Sequence, residues 1–453
     1  MRRASLRAGA ALALLAALAP QTVAAAAPSG EDGARPWALP EARELVDAGV
    51  WPTPIGDLSA PAARRDLARV LVAVGRAREL PPASPVALAD LAPGDPDAAA
   101  FAEAVGRRWL LAPGGLARAD APVTSAQADR AFVAMLGLDL ERRALARLSA
   151  GGVRLRLPAG FATEVLAREA GLRRNYPSQN DALERSANEP IARADLVDMA
   201  SRARAFGPDR RGALAAFQTI ALPAMTPAQR AVIEAALSRV GTPYVWGGEW
   251  PSTASPYGPQ AHGGFDCSGL VWWIFHRNAL QLAAGEPTPE PDGRTAAQMA
   301  AIARPERLGP DSFAAGDLVF FGPRGPASRT ASIDHVGISL GGGWIVHSSG
   351  SRAGVSVTWM TGYWAKGVAW GRRLAAVGPP AVPAAPLPLV VPPPVAATTP
   401  PPVAEAPPAP PELPAPAPGA PLAAAPPAPP PSPLPAPGAA LPAPAPPVQQ
   451  PVP

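Results

Sequence analysis

The chain has 453 residues, enough for two or three domains, and a formal net charge of +4. Its basic residues are arginines with Lys366 the exception, and they form no dense block. That pattern excludes a nucleic-acid footprint and leaves affinity for anionic surfaces. A single cysteine, Cys267, excludes an internal disulfide and points to a chemical role for its thiol.

In chain order, the first element is an export signal over residues 1–27. Arg2, Arg3 and Arg7 precede an apolar run from Ala8 to Leu18, and Ala24 to Ala27 supply small residues for cleavage. The run stops at Pro20, short of the about 20 residues a membrane-spanning helix needs. The expected product is secreted and associated with a bacterial cell wall, with no membrane span once the signal is removed.

Residues 35–205 read as helical, with a weak internal repeat. Glu44–Val50 leads to Ala63–Ala68, Phe101–Leu111 to Thr124–Ala128, and Val165–Leu172 to Ala192–Leu196. Each unit is a helix, a loop rich in Pro, Gly or Asp, and a second helix; such units stack because one alone cannot bury its apolar face. They resemble S-layer homology repeats. The resemblance implies an all-α pseudo-threefold bundle that binds secondary cell-wall polysaccharide through Arg64 and Arg193. Ser125 stands at the matching position of the middle unit, so one of three pockets is expected to lack its cation. A plain helical spacer is the alternative.

Residues 226–374 read as a separate α+β domain. Thr226-Pro227-Ala228-Gln229 forms a capping box with Pro at the first helical position, and Val232, Ile233, Ala236, Leu237 and Val240 continue at helical spacing. A second helix starts at Cys267. Short strands follow over 317–321, 335–340, 344–347 and 354–357, with Gly-rich turns between them. Helices first and strands after argue for an antiparallel sheet. From 378 to 453 the chain is a Pro/Ala tract, which builds no core and is expected to be a disordered or extended spacer.

Cys267 sits where a Gly-rich segment becomes a helix, a position expected to favour thiolate. Its backbone N–H is placed to donate to an oxyanion. His335 opens a strand and offers an imidazole base. His347 lies one hairpin further on, where it can share a face with His335 and hold its tautomer. His262 reads as a solvated loop residue and His276 as structural. Zinc held by Cys267, His335 and His347 is the weaker reading, since structural zinc wants four ligands.

Four motifs then occur in order: 241–248 (Gly-Thr-Pro-Tyr-Val-Trp-Gly-Gly), 266–270 (Asp-Cys-Ser-Gly-Leu), 316–321 and 335–338. Together they resemble the NlpC/P60 family of papain-like cysteine peptidases. The resemblance implies Cys267 as nucleophile, His335 as base, His347 as the third polar residue and Tyr244 as support for the oxyanion region. It implies no cofactor and no metal, and peptidoglycan stem peptides as substrate, cut between D-glutamate and the following diamino acid. Asp266 and Ser268 flank the nucleophile and are assigned to substrate binding. So are Trp250 and Tyr257, carried by an insertion over 249–264 that departs from the family pattern. Two alternatives stay open: a catalytically inactive wall-binding protein, and acyl transfer by the same Cys/His pair. The two halves are expected to be separable.

Overall fold

The computed structural model describes residues 36–76, 83, 86–92, 94–256, 258–277, 291 and 293–374. The expected signal, the Pro/Ala tract and Tyr257 lie outside the described residues.

The helical half comprises α1 (Leu39–Asp47), α2 (Arg64–Arg76), α3 (Ala98–Gly106), α4 (Ser125–Met135), α5 (Asp139–Leu145), α6 (Phe161–Glu169), α7 (Arg193–Arg204) and α8 (Pro208–Ala215). The second helix of each unit packs on the first helix of the next: α2 on α3, α4 on α6, and α7 back on α1. This closes the stack into a ring. The extended residues just before α2, α4 and α7 bond one another in a cycle. Ala62 N–H donates to the Ile191 carbonyl, Ile191 to Val123, and Val123 to Ala62. The next backbone step repeats around the ring, with Arg64, Ser125 and Arg193 donating to the carbonyls of Ala121, Glu189 and Ala60.

Local chemistry explains why each second helix starts there. Thr124 and Gln127 make a capping box, while the carboxylates of Asp66 and Asp195 accept from the N–H of Ala63 and Ala192. Each unit therefore satisfies an otherwise orphaned donor at the helix start with its fourth motif residue. The region departs from an all-α expectation in one place. Ser149–Ala150 pairs with Val153–Arg154 in a two-residue hairpin, whose turn uses Gly151 and Gly152 at φ +55° and +81°.

The second half opens with α9 (Pro227–Leu237), capped by Thr226 and Gln229 as its sequence indicates, and continues to α10 (Cys267–Trp272). A five-stranded antiparallel sheet follows: β1 (Leu318–Phe321), β2 (His335–Gly341), β3 (Trp344–Ser349), β4 (Gly354–Trp359) and β5 (Val368–Arg372). Its order is β4-β3-β2-β1-β5. Between α10 and the sheet, α11 (Ala296–Met299) packs near β2, and between β4 and β5 lies α12 (Gly362–Gly367).

One apolar core runs through both halves, from Ala42 and Leu45 through Leu166 and Ile233 to Phe320 and Val355. Helix α6 lies directly against β4. Arg168, buried near the end of α6, ties the halves together by donating to the carbonyls of Gly241 at 2.6 Å and of Ala353. Gly354 allows that approach. It sits at φ +139°, and a Cβ there would collide with the Thr242 carbonyl and Arg168. Among the described residues, no helix is long and apolar enough to cross a membrane.

Candidate active site

Asp266 caps α10, its carboxylate accepting from the Gly269 N–H at 2.5 Å, so the chain turns into a helix with Cys267 as the first residue. The Cys267 Sγ lies 4.0 Å from the Asp334 carbonyl, and the Val336 N–H also faces it. The thiol therefore rests against the backbone on both sides of His335.

Strand β2 presents His335 and β3 presents His347 on one face of the sheet. His335 Nε2 and His347 Nδ1 are 2.7 Å apart. His347 is fully buried, and its Nε2 lies 2.9 Å from the Thr358 hydroxyl on β4. Among the described residues, nothing hydrogen-bonds to His335 Nδ1. That nitrogen keeps its hydrogen-bonding capacity unused within the fold. Trp364 of α12 meets His347 edge-on at 4.5 Å between ring centroids and covers His335 at 5.2 Å. The indole shields the imidazole pair from water.

Burial shapes the protonation states. Desolvation pushes the Cys267 thiol up to about 12, and the Asp266 carboxylate adds to this; the N–H groups of Val336 and Ser268 and the Arg294 cation only partly offset it. Desolvation also lowers His335 to about 4. It takes His347 well below the usual histidine range, helped by His335 and Arg352. The expected thiolate at a helix terminus is thus corrected. Helix α10 has six residues, and its dipole loses to burial and to the neighbouring carboxylate. Burial thus favours the neutral form of both the thiol and the imidazole.

Tyr244 stands beside the thiol, and burial together with Cys267 keeps its phenol protonated and able to donate. The N–H of Cys267, first in its helix, has no partner among the described residues.

Other expected site residues have different tasks. Asp266 and Ser268 give their hydrogen bonds within the fold: Ser268 Oγ donates to Asp266 at 3.1 Å and accepts from Arg294 at 2.9 Å. Arg294 also reaches Glu249 at 3.0 Å and the Gly247 carbonyl at 3.1 Å, pinning the loop that leads into α10. Trp250 is half-buried against the core, in a two-residue pairing with Gly264. His262 is buried rather than solvated. Its Nδ1 lies 2.7 Å from the Gly263 carbonyl and its Nε2 2.9 Å from Glu189, which ties the insertion to the helical half.

Arg64 is buried, donating from Nε to the Ala117 carbonyl at 2.7 Å and from Nη2 to that of Leu111 at 2.6 Å. It also lines a cavity of about 190 Å³ with Trp109, Arg118 and Arg130. Arg193 lies over the Trp51 ring at 5.2 Å and 3.6 Å from Asp66. The pocket next to Ser125 does not lack a cation. Arg173, in the loop after α6, bonds the Arg185 carbonyl at 3.0 Å and pairs with buried Asp129 at 3.5 Å. Arg185 holds the place in its loop that Ala117 holds beside Arg64.

A lone thiol at a helix start and a hydrogen-bonded histidine pair on the adjoining sheet are the groups that a cysteine hydrolase employs. Residues 241–373 match the NlpC/P60 family, and this part of the chain is an NlpC/P60 domain. Similar curated proteins include the bifunctional muramidase/DL-endopeptidase CwlT of Bacillus subtilis, 35% identical over 29% of this chain and 32% of that one. The gamma-DL-glutamyl hydrolase of Bacillus subtilis is 33% identical over 29% of this chain and 26% of its own. The murein DD-endopeptidase MepH of Escherichia coli is 28% identical over 30% and 43%. The match thus spans less than half the length of each of these relatives. A solved NlpC/P60 family protein from Bacillus cereus is 20% identical over 33% of this chain and 41% of its own, with a TM-score of 0.25.

Proposed function

We propose that the protein is an exported peptidoglycan hydrolase of the D,L-endopeptidase type, acting on stem peptides through Cys267, His335 and His347. The observation that carries this reading is the His335–His347 hydrogen bond, which engages one imidazole nitrogen and leaves the other for the chain's only thiol. The thiol proton passes to His335 Nδ1 as Sγ attacks the scissile carbonyl, and the Cys267 N–H and the Tyr244 phenol receive the oxyanion. His335 then protonates the leaving amine as the C–N bond breaks. Water, deprotonated by the same imidazole, hydrolyses the thioester and restores the thiol. The names of CwlT and the gamma-DL-glutamyl hydrolase support a D,L bond, whereas that of MepH carries a D,D bond.

The test is mass spectrometry of products from purified peptidoglycan, with Cys267→Ala as control. Release of a new amine on the diamino acid with a free glutamyl carboxyl is the expected result. A new amide in place of that carboxyl would support acyl transfer. No product from either protein would support a wall-binding role without catalysis.

The helical units are the proposed anchor to secondary cell-wall polysaccharide, through Arg64 and Arg193. Support comes from the cavity where Arg64, Arg118 and Arg130 converge without a lining carboxylate. Burial followed by the neighbouring Arg118 lowers the Arg64 pKa, the sign of a cation that an anion would stabilise. Co-sedimentation with walls that retain or lack the polysaccharide tests this. Equal binding to both would overturn it, and Arg130→Gln is expected to weaken binding to the first alone.

A further inference from the structure

We propose that Glu169, the last residue of α6 in the helical half, is a positioning residue that sets the tautomers of the catalytic histidine pair through Thr358. The proposal rests on the Cys267/His335 hydrolase reading. Glu169 is buried, and its Oε1 accepts from the Thr358 hydroxyl at 2.6 Å, from Ser356 at 3.1 Å and from Arg352 at 3.0 Å. Thr358 Oγ1 in turn lies 2.9 Å from His347 Nε2, and His347 Nδ1 lies 2.7 Å from His335 Nε2. A continuous chain of hydrogen bonds therefore runs from the base into the helical half.

The direction of that chain is what matters. A hydroxyl has one proton and can face an imidazole as donor or acceptor, so Thr358 alone leaves the histidines free to choose. An ionised carboxylate only accepts. Glu169 takes the Thr358 proton, so Thr358 must accept from His347 Nε2–H. His347 Nδ1 is then bare and accepts from His335 Nε2–H. His335 Nδ1 is left with a lone pair, the form a general base requires. Reversed, every proton in the chain shifts by one place, and His335 would carry its hydrogen toward the sulfur and could not take another. Burial raises the Glu169 pKa on balance despite Arg352, Thr358 and Ser356, but all three donors converge on Oε1, which accepts whether or not Oε2 carries a proton.

A purely structural reading would have Glu169 serve only to hold Arg352 and the interface. The experiment separates the two with the full-length chain. Glu169→Leu and Thr358→Val are expected to lower kcat roughly 10–100-fold, the usual range for orienting partners of a functional histidine, with KM within about twofold. Thr358→Ser, which keeps the hydroxyl, is expected to recover most of the loss. ¹⁵N-edited spectra of the histidine rings give a readout that does not depend on turnover. The wild type should show His335 and His347 both protonated at Nε2, and Thr358→Val should show mixed tautomers.

Unchanged tautomers and a kcat within about twofold of wild type in folded Thr358→Val would overturn the proposal, whatever Glu169→Leu does to folding. A wild type with the stated tautomers but no activity on peptidoglycan would sink the hydrolase reading and leave the tautomer assignment standing.

Discussion

In the helical half, the motif cation Arg64 gives hydrogen bonds to the carbonyls of Ala117 and Leu111, while Arg193 stacks on Trp51 beside Asp66. In the sheet half, His335 is held firmly at Nε2 and left open at Nδ1. Both halves bury polar groups at equivalent risk, since an unpaired buried donor or acceptor costs about 1–3 kcal/mol. They manage it differently. The repeat motif uses its polar residues mainly to close loops, and Arg64 also faces a cavity that it shares with Arg118 and Arg130. The sheet uses neighbouring strands to satisfy all but the reacting atoms. A polar residue in a recognisable motif is therefore a reactive group only where the tertiary structure leaves one of its valences free.

The comparison breaks first at Cys267. Cys267→Ala should remove muropeptide release by roughly 10⁴-fold or more, as loss of a covalent nucleophile does, while the thermal midpoint stays near wild type. Retained activity would mean that the open valence lies elsewhere.

His347→Ala is expected to cost about 10²-fold in kcat and to leave more residual turnover than Cys267→Ala, because it removes an orienter and not the base. Equal losses in the two variants would instead place His347 in the proton transfer itself.

Cutting the chain between the halves tests whether they are independent. Residues 226–374 hold Cys267, His335 and His347 but lack Arg168 and Glu169, which bond that half at Gly241, Ala353 and Thr358. The fragment alone should fall roughly 10-fold or more in kcat on a soluble muropeptide and should expose the face of β4 that α6 covers. A fragment as active as the whole chain would restore the idea of separable halves.

Arg64→Ala should destabilise the protein by about 1–3 kcal/mol in urea unfolding, since it strips the buried Ala117 carbonyl and the half-buried Leu111 carbonyl of a charged donor. A change within a few tenths would mean that the guanidinium serves only a ligand.

The smallest effect concerns His262 and Glu189. Burial would lower the His262 pKa, but the hydrogen bonds to Glu189 and Gly263 outweigh it and the net shift is upward. A histidine raised on folding adds stability in full below its unfolded value of about 6.5, and that stability is lost as pH rises through the higher folded value. The thermal midpoint of wild type relative to Glu189→Gln should therefore shrink by a few degrees between pH 6 and pH 9. A constant difference would show that the pair is not ionic.

Much of this was legible in the residues. Cys267, His335 and His347 stood out because a lone thiol and two histidines on adjacent strand patterns need only period-two alternation to meet. The three helical units were visible for the same reason: each carries its own cap, and caps are local. Thr358 and Glu169 gave no such signal. They lie 11 and 178 positions from His347, and nothing in a Ser-Val-Thr strand or an Arg-Glu helix end marks a relay. Arg173 was hidden likewise, since it reaches Asp129 of α4 from the loop after α6.

Taken alone, the sequence determined the elements and the reacting groups, because capping boxes, glycine turns and strand alternation act over a few residues and the nucleophile and base are rare side chains. Tertiary structure decided the electrostatics. Whether the thiol would ionise turned on how deeply the fold buried it beside Asp266, and which nitrogen of His335 carries the proton turns, in the proposed relay, on a carboxylate that α6 delivers to β4. Desolvation and hydrogen-bond direction depend on neighbours in space, and those neighbours come from both halves of the chain.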